Sequence, residues 1–467
     1  MSILSTIRGW FRVILKDRVK EELHVEAVSS PEVETILDRC QRIYEGRPDW
    51  VSEEDGIKTV NFAKAVCSET ARLATLGIGI KIDGQARAKY IQDQINKIYY
   101  RLRDWVEYGC AYGLVILKPN GETVDLYTRG SFVVTHHTGG VIDGVVFLDQ
   151  KKSGKEWYTR MEHHRFENGL YVITNRCFRG KDKGDTKTIV DIKDTPWAEL
   201  EPEVCIRNVD KPLFGVLKMP HANNVDSDSP YSLPVFSDAV EELMDLDIAY
   251  SRNATEVFNS DRTVLLDEAM IAGSGRPVAK TIEEAQRVAK RIKLPNMAKM
   301  VRGDGKETYY QEINPELNTD ARLTGINALL SQIGYKVGYS NGYFVFNEST
   351  GIQTATGVEA EQQRTIQLIK DVRDKLESCI ADLVYAINVM ADLYKYAPSG
   401  EYEIVFDFGD ITYNREDDRA RWWGYVVAGK VPAWRFFVKF EGMTEAEAKE
   451  MAEEVSQKMP KLFGDDE

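Results

Sequence analysis

The sequence predicts an α+β fold in which helical and strand-rich segments occupy separate stretches of the chain. Apolar residues recur three or four positions apart within residues 31–118, 232–261 and 319–397, which is the period of amphipathic helices. Short β-prone runs separated by turn signals fill residues 113–220 instead. With 467 residues, 43% of them hydrophobic, the chain is long enough for roughly two to four domains with cores of their own.

The chain begins with an N-terminal arm, residues 1–30, whose first 24 residues are basic and amphipathic. This pattern suits a helix on a membrane surface, but we favour an arm that packs on a neighbour. Arg8, Arg12 and Lys16 interrupt the apolar residues, so no signal peptide is predicted. No apolar run approaches the ~18 residues of a membrane-spanning helix.

Two helices, Asn61–Leu76 and Ala86–Tyr108, are predicted before the strand-rich stretch. The predicted strands of that stretch are Thr123–Tyr127, Ser131–Thr135, Val145–Leu148, Trp157–Phe166 and Leu170–Thr174. The turn signals between them are Pro119-Asn120-Gly121, Gly139-Gly140 and Asn168-Gly169. Because Asn-Gly between β-prone runs favours a tight hairpin, we expect antiparallel pairing here.

The most informative stretch runs from Thr319 to Ala397. A helix is predicted to Gly338 and a second, longer helix from Glu359, with a glycine-rich polar loop between them. A loop of this length is usually functional or disordered. Upstream, a helix is predicted over Ser232–Asp261, with Asp238, Glu241, Glu242, Asp245 and Asp247 on its polar face.

A small α/β module is predicted for residues 262–318, with strands at Thr263–Leu266 and Glu307–Ile313. Between them, Thr281 and Glu284 form a capping-box pattern that opens a helix. After the long helix we expect a strand at Tyr402–Phe408 and a helix at Arg419–Ala428. A last helix should open at Thr444, with Glu447 three residues on.

Few motifs indicate chemistry. The chain has no GxxxxGK[ST] and no HExxH. Gly338–Gly342 fits GxSxG, but a helical pattern precedes it and the last histidine, His221, lies upstream, so we do not expect a hydrolase. Adjacent histidines, His136-His137 and His163-His164, are expected near the surface.

The six cysteines lie far apart with no CxxC pair, which predicts reduced thiols rather than a zinc site. No cofactor and no metal are predicted. Carboxylates at Asp407, Asp410, Asp417 and Asp418 leave an Asp/Glu metal-dependent nuclease as an alternative. The net charge of −14 argues against tight binding of DNA, because affinity for DNA comes mainly from phosphate contacts by basic residues.

The order of motifs resembles the portal proteins of tailed bacteriophages, most closely the subgroup common in phages of Gram-positive hosts. The segments that carry the resemblance are Asn61-Phe62-Ala63-Lys64, Gly109–Leu117, Pro230-Tyr231-Ser232-Leu233-Pro234 and Thr354-Ala355-Thr356, the last followed by Glu359, Glu361, Arg364 and Thr365. Gly357-Val358 departs from the Glu-Val that the subgroup pattern leads us to expect.

The resemblance implies a portal-type architecture with an α/β wing, two stem helices, a small α/β clip, a tunnel loop followed by a long helix, and a helical crown. Its parts would be the wing (31–230), stem helix 1 (231–261), clip (262–318), stem helix 2 (319–338), tunnel loop (339–357), long helix with a wing strand (358–410) and crown or C-terminal region (411–467).

The function implied by the resemblance is structural rather than enzymatic. Portal proteins form a ring, in most cases of twelve subunits, at one capsid vertex, and double-stranded DNA is packaged and ejected through it without sequence-specific contact. The implied partners are the terminase large subunit, major capsid and scaffolding proteins and a head–tail adaptor. The implied location is the virion after assembly in the host cytoplasm, with no membrane contact. Another head–tail structural or adaptor protein is the alternative.

The resemblance also assigns candidate site residues. Those of the tunnel loop, facing the DNA channel, are Asn341, Gly342, Phe346, Asn347, Glu348, Ser349, Thr350, Gly351 and Gln353. Those of the stem channel face are Glu241, Glu242 and Asp245, and those of the terminase-facing clip are Glu283, Glu284, Arg287 and Lys290. The loop aromatics Tyr339, Tyr343, Phe344 and Phe346 need packing partners, which we expect neighbouring subunits to provide.

Overall fold

The computed structural model describes residues 16–28, 30–121, 123–259, 263–267, 298–301, 310–313, 319–345, 355–409, 415–428, 430–441, 443–444 and 447–451. They form a mixed α+β structure, as the sequence predicts. The helices are α1 (Pro31–Tyr44), α2 (Phe62–Ala74), α3 (Ala86–Ile98), α4 (Leu102–Tyr112), α5 (Val240–Asn259), α6 (Thr319–Val337), α7 (Ala355–Leu393), α8 (Arg415–Val427) and α9 (Ala433–Glu441).

The strands of the described residues belong to four sheets. They are β1 (Gly79–Gly84), β2 (Leu114–Pro119), β3 (Val124–Tyr127), β4 (Phe132–Thr138), β5 (Val141–Ser153), β6 (Glu156–Glu167), β7 (Leu170–Gly180), β8 (Thr188–Val190), β9 (Glu203–Ile206), β10 (Gly215–Lys218), β11 (Thr263–Asp267), β12 (Ala298–Val301), β13 (Tyr310–Ile313) and β14 (Tyr402–Asp407). The sheet orders are β4-β5-β6-β7-β8 with β9 also on β7, β10-β2-β3, β12-β11-β13 and β1-β14.

The chain divides into two compact units, the second of which comprises Leu76–Ile78 and the residues from Asp407 onward. In this second unit α8 and α9 pack through aromatic rings, with Trp423 and Phe436 edge to face at 5.1 Å. The predicted capping box is confirmed there, because the Thr444 amide donates to Glu447 Oε2 at 3.0 Å.

The first unit contains the largest sheet, whose long strands follow the predicted turns. Asn168 and Gly169 both have positive φ, 51° and 77°, which is the backbone of a two-residue hairpin turn. Pairing of β6 with β7 is continuous from Glu167↔Leu170 to Trp157↔Gly180. The strands are longer than predicted, since pairing of β5 with β6 continues through polar residues to Ser153.

Both faces of this sheet are covered. Phe147 and Val134 pack with Phe214 on one face, whereas Val146 and Phe178 belong to a cluster that includes Val19 on the other. Leu23, Val25 and Ala27 also pack against that second cluster. The N-terminal arm therefore packs on its own sheet over residues 19–27, and the prediction that it packs on a neighbour is wrong there. Residues 1–15 lie outside the described residues.

The long helix α7 belongs to the first unit and packs against the rest of it through the predicted apolar stripe. Ile369, Val372, Leu376, Ile380, Leu383 and Ile387 are all buried. Strand β10 runs so close to α7 that a Cβ at Gly215 would collide with the carbonyl oxygen of Cys379. Only glycine permits this approach, which joins the long helix to the sheet of β10, β2 and β3.

Three predicted elements have different bounds in the structure. The helix predicted from Ser232 begins with a 3-10 turn at Ser237–Ala239, because the preceding residues bond to the end of α4, with the Val235 amide donating to Cys110 O at 3.0 Å. The helix predicted over Ala86–Tyr108 is interrupted by a 3-10 turn at Tyr99–Arg101. The sheet of β11, β12 and β13 contains one strand more than predicted.

Candidate functional site

The eight residues after α6, residues 338–345, form a compact segment that we call the aromatic turn. Tyr339 is fully buried, with its hydroxyl 2.7 Å from Thr70 Oγ1 on α2. The Phe344 ring packs edge to face on Phe62 at 5.2 Å, also on α2. The beginning of the predicted tunnel loop is thus fixed to a helix of its own subunit.

A third ring of the aromatic turn strengthens this attachment. The Tyr343 hydroxyl donates to Glu69, and its ring lies 4.9 Å from that of Phe344. The expectation that neighbouring subunits hold these aromatics is therefore wrong for Tyr339, Tyr343 and Phe344. Sequence spacing could not identify α2 as their partner, because it lies about 270 positions away. Phe346 lies outside the described residues.

A pair of buried hydroxyls ties the aromatic turn to α7. The Ser340 amide donates to Thr365 Oγ1 at 2.9 Å, and the two hydroxyl oxygens are 3.1 Å apart. The turn itself requires a glycine, because Gly338 has a φ of 110°. The GxSxG serine therefore follows a helix and is buried against another, unlike the exposed serine of a strand-to-helix nucleophile elbow.

Only the start of the predicted tunnel loop belongs to the described residues. Asn341 is exposed and Gly342 is partly exposed, both at the outer side of the aromatic turn. The other assigned loop residues lie outside the described residues: Phe346, Asn347, Glu348, Ser349, Thr350, Gly351 and Gln353. Their contact with DNA remains a prediction.

The two predicted stem helices lie against each other as an antiparallel pair. Lys336, at the end of α6, forms an ion pair of 2.6 Å with Glu242, at the start of α5. Leu243 on α5 and Ile333 on α6 are buried. The strands β11, β12 and β13 lie between the two helices in the chain and form one sheet, so the pair carries a small sheet between its outgoing and returning helices.

Asp247 does not belong to the polar outer face that the sequence predicts for α5. It is buried and accepts hydrogen bonds from Trp50 Nε1 at 2.9 Å and the Val60 amide at 2.8 Å. One turn later, Ser251 Oγ accepts from the Lys58 amide at 2.9 Å. A helical wheel places Asp247 beside its acidic neighbours, but its real role is to hold the segment 50–60 against α5.

The remaining stem residues have separate surroundings. Glu241 pairs with Arg39 at 3.0 Å yet stays largely exposed, and Asp245 is exposed. Glu242 is committed to its ion pair with Lys336. The clip residues Glu283, Glu284, Arg287 and Lys290 lie outside the described residues.

Two buried arginines fix helix ends that the sequence did not mark. Arg373 on α7 donates from Nε to Ala74 O and from Nη2 to Leu73 O, both at 3.1 Å, at the carboxyl end of α2. Carbonyls at a helix end lack partners within the helix, and a cation there also interacts favourably with the helix dipole. Arg373 therefore couples α7 to the helix that holds the aromatic turn.

Arg87 on α3 performs the same task at the carboxyl end of α7. Its side chain is fully buried and donates to Asn388 O at 2.8 Å and to Pro398 O and Ala397 O at 2.9 Å. Asp392 completes the set with an ion pair. No local pattern distinguishes this arginine from a solvated one, because its partners lie about 300 positions away.

A buried ionic cluster joins the largest sheet to strand β2. Glu162 on β6 pairs with Lys118 and, at 2.7 Å, with Arg160, while His164 Nε2 lies 3.0 Å from its other oxygen. Burial raises the pKa of Glu162, but Lys118 and Arg160 hold it well below its usual value. Each charge in this cluster has a partner, as buried charges require.

The expectation of surface histidines is wrong for His163 and His164, which are both buried. Residues next to each other on a strand point to opposite faces, and both faces of this sheet are covered by apolar clusters. Burial, with nearby Arg165, lowers the pKa of His163 to about 3. His136 is exposed, as expected.

The six cysteines are free, and all but Cys205 are buried. Burial raises the pKa of Cys40 to about 12, so its thiol is a poor nucleophile. Within the described ranges, no group of three or more His, Cys, Asp or Glu side chains is placed to hold a metal ion. Asp407 is exposed; Asp410 and the side chains of Asp417 and Asp418 lie outside what the structure describes.

Comparison with known proteins adds little. No protein-family model matches the chain, and no curated protein matches it in sequence. Among solved structures, the chain is similar to one in the virion of a native gene transfer agent particle, with a TM-score of 0.44 and 12% identity over 89% of this chain and 95% of that one. Similarity of this degree defines neither fold nor function. None of the described helices has both the length and the apolar character needed to cross a membrane.

Proposed function

We propose that the chain is the portal subunit of a tailed bacteriophage, and that copies of it form a ring through which double-stranded DNA passes. The observation that carries this proposal is the order of elements after residue 240. An antiparallel helix pair carries a small sheet, and an anchored aromatic turn then leads into a 39-residue helix. The motif order of the sequence supports the same assignment.

The charge of the chain agrees with a conduit that does not hold DNA. Each phosphate contact by Lys or Arg releases counterions and strengthens binding, so many such contacts would slow a sliding duplex. The chain carries 74 acidic and 60 basic residues. The assigned loop residues include one acid, Glu348, and no Lys or Arg. A ring of such loops would follow a moving duplex without reading its bases.

The aromatic turn suggests that the two parts of the tunnel loop have different roles, one as an anchored base and the other as the part that faces the channel. Because Tyr339 and Phe344 are attached to α2, the residues before Phe346 would serve as the base of the loop. The channel-facing role then falls to the residues from Asn347 to Gln353. The same proposal includes a ring of twelve subunits and a location in the virion. It also includes contacts with terminase, capsid, scaffolding and adaptor proteins.

A loop replacement in the assembled particle tests this function. Deleting Asn341–Gln353 should block packaging or retention of DNA, but it also removes Tyr343 and Phe344 from their contacts with α2. We therefore propose replacing Asn347–Gln353 by a glycine–serine linker of equal length. The expected result is normal assembly with a marked loss of packaged DNA, measured as DNA per particle.

The matched control replaces Asp226–Ser229, a short polar turn of the first unit, by a glycine–serine linker. It should leave the DNA content unchanged. Wild-type DNA content in the Asn347–Gln353 replacement would contradict the tunnel-loop assignment.

A further inference from the structure

The end of the largest sheet carries a basic surface that the proposed function does not use. Lys152 on β5 lies beside Trp157 on β6, which lies beside Gly180 on β7, so three strands end together. The turn after β5 and the connection from β7 to β8 add further lysines at this edge. We define the basic sheet end by four exposed lysines at this edge: Lys152, Lys155, Lys181 and Lys187.

These lysines are available for a partner. In the part of the chain that the structure describes, none of the four takes part in an ion pair, whereas the neighbouring Arg179 pairs with Glu156 at 3.6 Å and Lys183 lies over the Trp157 ring. The strands below them are continuously paired. The basic sheet end is therefore an exposed set of positive charges on a rigid support, in a chain whose net charge is −14.

The same unit also has an exposed surface of opposite charge. It consists of Glu53, Glu54 and Asp55, which we call the acidic turn. All three are exposed, and among the described residues none of them forms an ion pair. The turn is closed by a bridge between Ser52 and Ile57. The turn is held in place on α5, because Trp50 before it and Val60 after it both donate hydrogen bonds to Asp247.

We propose that the basic sheet end of one copy of this chain docks on the acidic turn of a second copy. A contact between two different patches is heterologous, and repeating it yields a ring if the rotation closes and a filament if it does not. Complementary charges steer such an encounter and fix its register, while like charges disfavour wrong pairings. Lysines interspersed with carboxylates such as Asp182 suit a protein surface better than a nucleic acid. This inference depends on the proposed function in one respect only, namely that the repeated contact closes into a ring.

Charge reversal tests the pair. We expect Lys152→Glu/Lys181→Glu/Lys187→Glu, and separately Glu53→Lys/Glu54→Lys/Asp55→Lys, to weaken self-association by about tenfold or more. A chain with both sets reversed should recover it. Lys64→Glu/Lys89→Glu/Lys375→Glu changes the net charge as the first variant does, on exposed lysines elsewhere, and should have little effect.

The readout is the distribution of oligomers by sedimentation velocity, at ionic strengths of about 0.01 M and 1 M, where charges are screened beyond about 30 Å and 3 Å. Wild-type association should fall at the higher ionic strength. No recovery in the doubly reversed chain, an effect of either reversal no larger than the control's, or a monomeric wild type at both ionic strengths would overturn the docking pair.

A cross-linking experiment separates this inference from the proposed function. One chain carries Lys155→Cys, a second carries Glu54→Cys, and both carry Cys205→Ser because Cys205 is the exposed native thiol. The mixture should form a disulfide-linked dimer on oxidation. Closed rings without the cross-link would refute the docking pair and leave the portal proposal standing. Cross-linked open filaments would support the pair and refute the portal proposal.

Discussion

The two ends of the long helix α7 are held in different ways. Near its beginning the buried contacts are neutral: Thr365 meets Ser340 through hydroxyl and amide groups, and the aromatic turn adds the hydroxyl contact of Tyr339. The guanidinium of Arg364 also donates to Tyr335 O there, at 2.9 Å, but it is exposed to solvent. At its end, the buried guanidinium of Arg87 binds several backbone carbonyls and the carboxylate of Asp392.

This difference indicates where the helix can adjust at low cost. A hydrogen bond between neutral groups contributes about 0.5–1.5 kcal/mol net, whereas hydrogen bonds to a charged group contribute about 1.5–3 kcal/mol. The end beside the predicted tunnel loop therefore has the weaker attachment, and the end beside Arg87 is a fixed point. Under the proposed portal function, the residues beyond the aromatic turn would move with the duplex, while Arg87 would keep the far end of α7 in place.

The largest expected effect comes from removing the fixed point. Arg87→Met should lower the free energy of unfolding by about 3–5 kcal/mol, because it leaves the backbone carbonyls of Asn388, Ala397 and Pro398 without their buried donor. Urea denaturation followed by circular dichroism measures the change. Arg72→Met removes an exposed pair with Glu69 and should cost at most about 1 kcal/mol. A loss for Arg87→Met no larger than the control's would contradict the comparison.

The second effect concerns acid sensitivity and comes from His163, which is buried in the largest sheet. His163 has its pKa lowered to about 3 by burial, against about 6.5 in the unfolded chain. Between these values the unfolded state binds one proton more, so stability falls with falling pH by about 1.4 kcal/mol per unit for this group.

His163→Gln should therefore reduce the loss of stability on acidification from pH 6.5 to 4.5 by about 2–3 kcal/mol. His136→Gln, on the exposed part of β4, is the matched control and should leave most of the acid dependence in place. Urea midpoints measured across this pH range provide the comparison. Equal slopes for the wild type and His163→Gln would show that this histidine does not contribute.

The smallest effect concerns the neutral attachment. The Thr70 hydroxyl donates to Val66 O, so it accepts from Tyr339, and Tyr339→Phe removes this one bond while keeping the ring. The expected loss is about 1 kcal/mol in the free energy of unfolding. Tyr335→Phe, on an exposed ring of α6, should change stability by less than about 0.5 kcal/mol. A loss above about 3 kcal/mol for Tyr339→Phe would remove the contrast between the two ends.

The sequence correctly predicted helices and turns that are determined by residues close together in the chain. The apolar spacing from Leu323 to Val337 predicted α6 to within one residue, and Asn168-Gly169 predicted the β6–β7 hairpin. The stripe of α7 is confirmed from Ile366 to Met390, although the helix ends at Leu393, before the predicted Ala397. Helix period and turn chemistry are properties of neighbouring residues, which is why these predictions succeeded.

Contacts between segments that lie far apart in the sequence were not predicted. Arg87, Arg373 and Asp247 each bind groups that lie far away in sequence, and nothing in their neighbourhood separates them from solvated charges. His163 and His164 were expected near the surface because they lie near turn signals, whereas the N-terminal arm covers the second face of their sheet. Of the candidate site, the sequence predicted that the loop aromatics need partners but not that α2 provides them.

Negative-stain electron microscopy of the purified chain tests the central proposal most directly. If the chain is a portal subunit, particle averages should show closed rings of a single subunit number, with a central hole wide enough for a DNA duplex. Monomers under all conditions, or open filaments without closure, would contradict it.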